Sequence, residues 1–139
     1  MDEALLTQAR LVVLAPRWRW MVGMCVRPVR VDGTVEDTTG VIVGWIGEEM
    51  PVAWWPDLAQ LRSHHPTTHL VPELASSATL GCLLTLARQG WGPSFHTHLD
   101  DWPGDEPAWL AHDGHRTPEF RGLTEAAALV AAIIGAPAN

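Results

Sequence analysis

Apolar positions along this chain follow two periods, that of a helix in two segments and that of a strand in several others. Between Val71 and Gly92, in VPELASSATLGCLLTLARQGWG, Leu80, Leu83, Leu84 and Ala87 fall at i, i+3, i+4 and i+7, one face of a helix. Cys82 and Leu86 lie on the other side, so the pattern predicts a central helix over about 77–89 that is covered on both flanks. Ser76 and Ser77 offer hydroxyls to its first turn, and Gly90, Gly92 and Pro93 supply its stop. Gly81 within it costs about 1 kcal/mol relative to alanine, which predicts a second backbone packed against that position. A C-terminal helix over about 124–134 follows from Thr124 as its cap, the stripe Leu129, Val130 and Ile133, and the stop Gly135 and Pro137.

The remaining apolar runs read mostly as strands. Asp2 to Gln8 opens a short helix, and Leu11 to Leu14 is ambiguous between helix and strand. Arg17-Trp18-Arg19-Trp20 alternates charge and ring, the period of a strand with indoles inward. Met24 to Val31 continues extended, Asp32-Gly33 signals a hairpin, and Thr34 to Glu36 returns. Val41 to Ile46 is a β-branched run suited to a buried strand, and Val52 to Trp55, bracketed by Pro51 and Pro56, suits a sheet edge. Pro56-Asp57-Leu58 can start a helical turn running to Arg62, with His64-His65-Pro66 ending it. Ser94 to Leu99 is a further strand, and Ala108 to His112 and His115 to Thr117 flank Asp113-Gly114, a second hairpin signal. The sum predicts an α+β fold: an antiparallel sheet of about five or six strands packed by the central and C-terminal helices, in a single domain over 1–139.

Composition supports a packed core without covalent staples. With 47% hydrophobic and 18% charged residues among 139, the chain has enough apolar content to fold as one domain, and it contains no long charged tract. Cys25 and Cys82 form no C-x-x-C pair and read as small apolar residues in a reducing compartment. The opening Met1-Asp2-Glu3 lacks a basic region and no apolar run is long enough for a leader or membrane span, so the expected location is cytoplasmic.

The central block is also similar to the P-D-L-x-x-x-A-T-L-G-C-L-L-x-L-x-R-x-x-W-G signature of small uncharacterised proteins encoded by bacteriophages and prophages, with Glu73 in place of the usual Asp. WRWMVGM at Trp18 to Met24 resembles their Trp-x-Trp-x-x-Gly-Met opening, and LTEAAALVAAIIGAP resembles their ending. The resemblance implies a phage accessory protein in a bacterial host cell. It implies no activity, because that family has none to transfer to any residue.

Charge narrows the candidate chemistry. Ala4 to Val31 holds five arginines and no acid, whereas Asp32 to Asn139 holds four arginines against fourteen acids, within a formal net charge of −7. Lysine and tyrosine are absent and tryptophan occurs eight times, so polar recognition must rest on Arg, Trp, His and carboxylates. Three constellations follow. His96 and His98 share one strand face, and His112 and His115 flank Asp113-Gly114. If the two units are neighbours, four imidazoles converge in a set suited to zinc or a similar divalent metal, the basis for a metal-dependent hydrolase. Arg17, Trp18, Arg19 and Trp20 combine guanidinium groups with indoles, as single-strand nucleic-acid binders do, although the net negative charge opposes a polyanion. Asp100, Asp101, Trp102, Asp105 and Glu106, with Trp109 beyond, form an acidic, indole-bearing loop of the kind that anchors protein interfaces.

No Ser-His-Asp or Cys-His unit, phosphate-cradling glycine loop or paired-carboxylate pattern occurs at usable spacing. On sequence alone the leading expectation is a non-enzymatic phage accessory protein without cofactor, binding a host or phage protein through the acidic loop and inhibiting a host factor or defence complex. The metal-dependent hydrolase and the nucleic-acid binder are its alternatives.

Overall fold

The computed structural model describes residues 2–66, 69–101, 106–114 and 118–137. In chain order the elements are α1 (Glu3–Val12), β1 (Cys25–Pro28), β2 (Gly40–Ile46), β3 (Met50–Trp55), a short 3-10 turn (Pro56–Leu58), β4 (Gln60–Ser63), β5 (Leu70–Pro72), α2 (Ser77–Trp91), β6 (His96–Asp100), β7 (Ala108–His112), β8 (Phe120–Gly122) and α3 (Glu125–Ile134). The fold is α+β, with two antiparallel sheets in place of the expected one: a five-stranded sheet ordered β4-β3-β2-β1-β5 and a three-stranded sheet ordered β6-β7-β8.

The helix starts obey their capping chemistry in two cases of three. Asp2 accepts from the Leu5 amide at 2.8 Å, and the Thr124 hydroxyl accepts from the Ala127 amide at 3.0 Å. Ser76 occupies the third cap in an extended conformation, yet its side chain makes no capping hydrogen bond. The second helix is also more one-sided than its pattern suggests, burying Thr79, Leu83, Leu86 and Ala87 and exposing Gly81, Thr85 and Arg88. Gly81 faces open space, so no second backbone explains it. The element enclosed nearly all round is α3, which buries seven of its ten residues.

Departures among the strands have local causes. Arg17 to Trp20 is turn and irregular backbone following α1, because hydrogen bonds from Ala15 to Val12 and from Trp18 to Ala15 keep winding the chain after the helix ends. Val52 to Trp55 is interior to its sheet, since Gln60–Ser63 pairs along its outer side as β4 instead of continuing a helical turn. Ala59, with φ of 49°, ends the 3-10 turn and redirects the chain into that strand. Leu70–Pro72 pairs with β1, and where Pro72 ends that ladder Thr79 of α2 takes over, its hydroxyl accepting from the Cys25 amide at 3.1 Å. Asp32-Gly33 does form a turn, but the return is a single bridge, Val29 with Val35. Cys25 and Cys82 are both free thiols.

One contiguous core joins the two sheets. It runs from Ala9 and Val12 through Val26, Ile42 and Trp55 to Leu83, Ala111 and the inner residues of α3. The Trp91 indole on α2 donates to the Ala132 carbonyl of α3 at 2.9 Å and packs beside Phe120 of β8 at 5.7 Å, tying both helices to the smaller sheet.

Candidate metal site

The smaller sheet packs one face on α3, and its register decides which side chains share that face and which take the other. Thr97, Ala111, Trp109 and Gly122 turn toward the helix: the Thr97 hydroxyl donates to Glu125 at 2.6 Å and Ala111 is fully buried. A Cβ on Gly122 would lie 2.6 Å from the Ala128 amide nitrogen, so helix and strand meet backbone to backbone there. Alternation then sends His96, His98, Asp100, Leu110, His112 and Arg121 to the opposite face.

On that outer face His96 and His112 are directly paired across β6 and β7, and His98 stands two residues along from His96. The His98–His112 and His96–His112 ring centroids are 4.9 and 5.0 Å apart, and those of His96 and His98 are 5.9 Å apart. One ligand nitrogen from each ring lies within 4.8 Å of the other two. His98 Nδ1 and His112 Nε2 are separated by 3.3 Å. Two nitrogens bound to one tetrahedral zinc at about 2.0–2.1 Å lie roughly 3.4 Å apart, so this edge already has the required length.

The strand start is firmly placed. Phe95 is fully buried immediately before His96, and its carbonyl accepts from Arg88 Nε of α2 at 2.8 Å. His96 Nδ1 lies 2.9 Å from the Ser94 carbonyl, which can only accept, so this nitrogen carries the proton and Nε2 keeps its lone pair for a metal. Such a carbonyl contact is how metal-binding imidazoles are commonly oriented, and a backbone group leaves no trace in a residue pattern.

Of the four histidines expected to converge, His96, His98 and His112 do so, and His115 lies outside the described residues. His112 meets β6 by strand pairing, and the return expected over 115–117 after Asp113-Gly114 lies outside the described residues. Asp100 shares the face but is engaged by Arg121 at 3.3 Å. In the other histidine group, Trp55 Nε1 donates to His64 Nε2 at 2.9 Å and the His65 amide donates to His69 Nδ1 at 3.0 Å, so these nitrogens already serve the fold.

The other two constellations come together only in part. Arg17 Nε donates to the Pro137 carbonyl at 2.8 Å, binding the C-terminal segment, while Trp20 is 5% exposed and Trp18 half-buried. Arg19 alone of the four is exposed. In the acidic segment Asp101 and Glu106 are exposed, Trp109 packs against the core, and Trp102 and Asp105 lie outside the described residues. The chain matches no family model, no curated protein and no solved structure. Among the described residues no helix is long and apolar enough to cross a membrane.

Proposed function

We propose that this protein binds a divalent transition metal of the zinc class through His96, His98 and His112. The observation that carries the reading is the convergence of three imidazole nitrogens within 4.8 Å on a sheet face held from behind by α3. Three neutral nitrogen donors suit zinc, nickel, cobalt or copper better than calcium or magnesium, which favour oxygen. Three protein ligands also leave a coordination position for water or another molecule, the composition of sites that polarise a bound group. Hydrolysis by such a centre needs, besides the metal, a substrate seat beside the imidazoles. The block similar to phage proteins maps to the end of β5 and to α2, outside the strands that carry the histidines, so that resemblance bears on setting and not on the site.

The test uses protein purified without a polyhistidine tag and stripped of metal. Titration with zinc, and with cobalt for its coordination-sensitive absorption, should saturate at about one equivalent. His98→Ala and His112→Ala should each weaken binding by more than the roughly 10–100-fold that loss of an outer-shell partner costs, whereas His65→Ala should leave it unchanged. Equal affinity in wild type and in both site variants would end the proposal.

A further inference from the structure

A second site lies on the five-stranded sheet, distant in sequence from the histidine face. The segment after α1 and the β2–β3 turn enclose a cleft of about 330 Å³, within the size range of small-molecule pockets. Its walls include three indoles. Trp18 and Trp20 stand nearly perpendicular, at 86° with centroids 5.2 Å apart, and Trp45 reaches in from β2. Trp20 is fixed in place, because its Nε1 donates to the Pro66 carbonyl at 2.8 Å. Trp45 is 47% exposed, so the fold itself leaves much of this large apolar ring uncovered.

The charged groups of the cleft select the ligand. Glu48 and Glu49 are adjacent in the turn, and Arg19 also lines the cleft. Among the described residues none of the three makes an ion pair within 4.0 Å, and together they leave one net negative charge beside the indoles. A phosphate or nucleobase chain would meet two carboxylates here, and Arg17, which could have opposed them, is spent on the Pro137 carbonyl. A neutral apolar ligand would gain nothing from the two carboxylates. A primary ammonium is a strongly hydrated point charge that asks for hydrogen-bond acceptors, whereas a methylated ammonium spreads its charge over apolar methyl groups that can lie against ring faces.

We propose that the cleft formed by Trp18, Trp20, Trp45, Glu48 and Glu49 binds a quaternary ammonium group. Indole faces attract the cation through their quadrupoles, and the two turn carboxylates supply the longer-range attraction. The group has two sources with the same chemistry, a free choline-like molecule or a trimethylated lysine side chain of a peptide.

The test is titration of the full chain with choline, with a trimethyl-lysine peptide and with the neutral isostere of choline in which carbon replaces nitrogen, followed by calorimetry and by the indole N–H resonances. Choline or the peptide should saturate on the order of millimolar or below, and the neutral isostere should bind about tenfold more weakly or worse. The peptide saturating first assigns the side-chain source, and choline saturating first assigns the free molecule. Trp45→Ala should weaken binding about tenfold, and the double change Glu48→Gln with Glu49→Gln, confined to an exposed turn, should weaken it severalfold and flatten its salt dependence. Equal binding of choline and its neutral isostere, or binding untouched by both sets of changes, would overturn the proposal.

Discussion

At His64 the ring nitrogen Nε2 accepts from the Trp55 indole, so the proton of the neutral imidazole resides on Nδ1. Burial, reinforced by the nearby His69 ring and the Arg62 guanidinium, pushes its pKa from the usual 6.5 down to about 4. Protonation would also remove the acceptor on which the 2%-exposed Trp55 relies. The sign follows: between those two values the unfolded chain binds a proton that the folded chain refuses, so stability is full above about 6.5 and declines as pH falls toward 4. For a half-buried ring, solvent screening reduces the effect, and about 1 kcal/mol is expected between about pH 7.5 and 5. Urea unfolding of metal-free protein at these two pH values measures it. His64→Gln, whose side-chain carbonyl can still accept from Trp55, should remove that part of the pH slope; an unchanged slope would place the titrating group elsewhere.

Two glycines separate what an element needs from what it tolerates. Gly81 lies inside α2 with nothing near the position of a Cβ, so Gly81→Ala should stabilise the protein by about 0.5–1 kcal/mol through the lower entropy of the unfolded chain. In β8 a Cβ on Gly122 would lie 2.6 Å from the Ala128 nitrogen and 2.9 Å from the Ala127 carbonyl carbon, backbone atoms that yield only if α3 moves. Gly122→Ala should therefore destabilise by about 1–3 kcal/mol or more, and thermal unfolding of the two variants should move in opposite directions. The same contrast explains what the sequence discloses. Helix positions are written in side-chain period and caps, so the span of α3 and most of α2 could be read directly; which glycine touches a backbone is set by tertiary contact and cannot be. Likewise the i, i+2 spacing of His96 and His98 reveals their shared face, but the partner of β6 is chosen by packing on α3, which brings in His112 through strand pairing. The three-residue strands Leu70–Pro72 and Phe120–Gly122 are too short to carry a period. The cleft residues Trp18 and Trp45 line one cleft in a fold where a turn follows α1, although alternation suggests a strand.

For the molecule as a whole, the metal site stands on the smaller sheet while much of the core lies against the larger one, and α3, packed on α1 and α2, joins the smaller sheet to that core. Ala111 of β7, Leu129 and Ile133 of α3, and Ile42, Ala53 and Trp55 of the larger sheet belong to one buried cluster, so detaching the smaller sheet would open that cluster. Metal bound at His96, His98 and His112 should therefore stabilise the entire fold and not just its hairpin. At free zinc 100 times the dissociation constant, linkage gives about 2.7 kcal/mol, equivalent to roughly 100-fold slower exchange of amides that open only by global unfolding. The amides of Ala53 and Trp55 in β3, on the other sheet, are the informative ones. They should slow by about the same factor as the amides of Leu110 and Ala111 in β7, and the effect should vanish in His98→Ala. Slowing confined to β6 and β7 would mean that the three-stranded sheet opens independently, and α3 would then be a hinge between two units instead of the shared wall of one core.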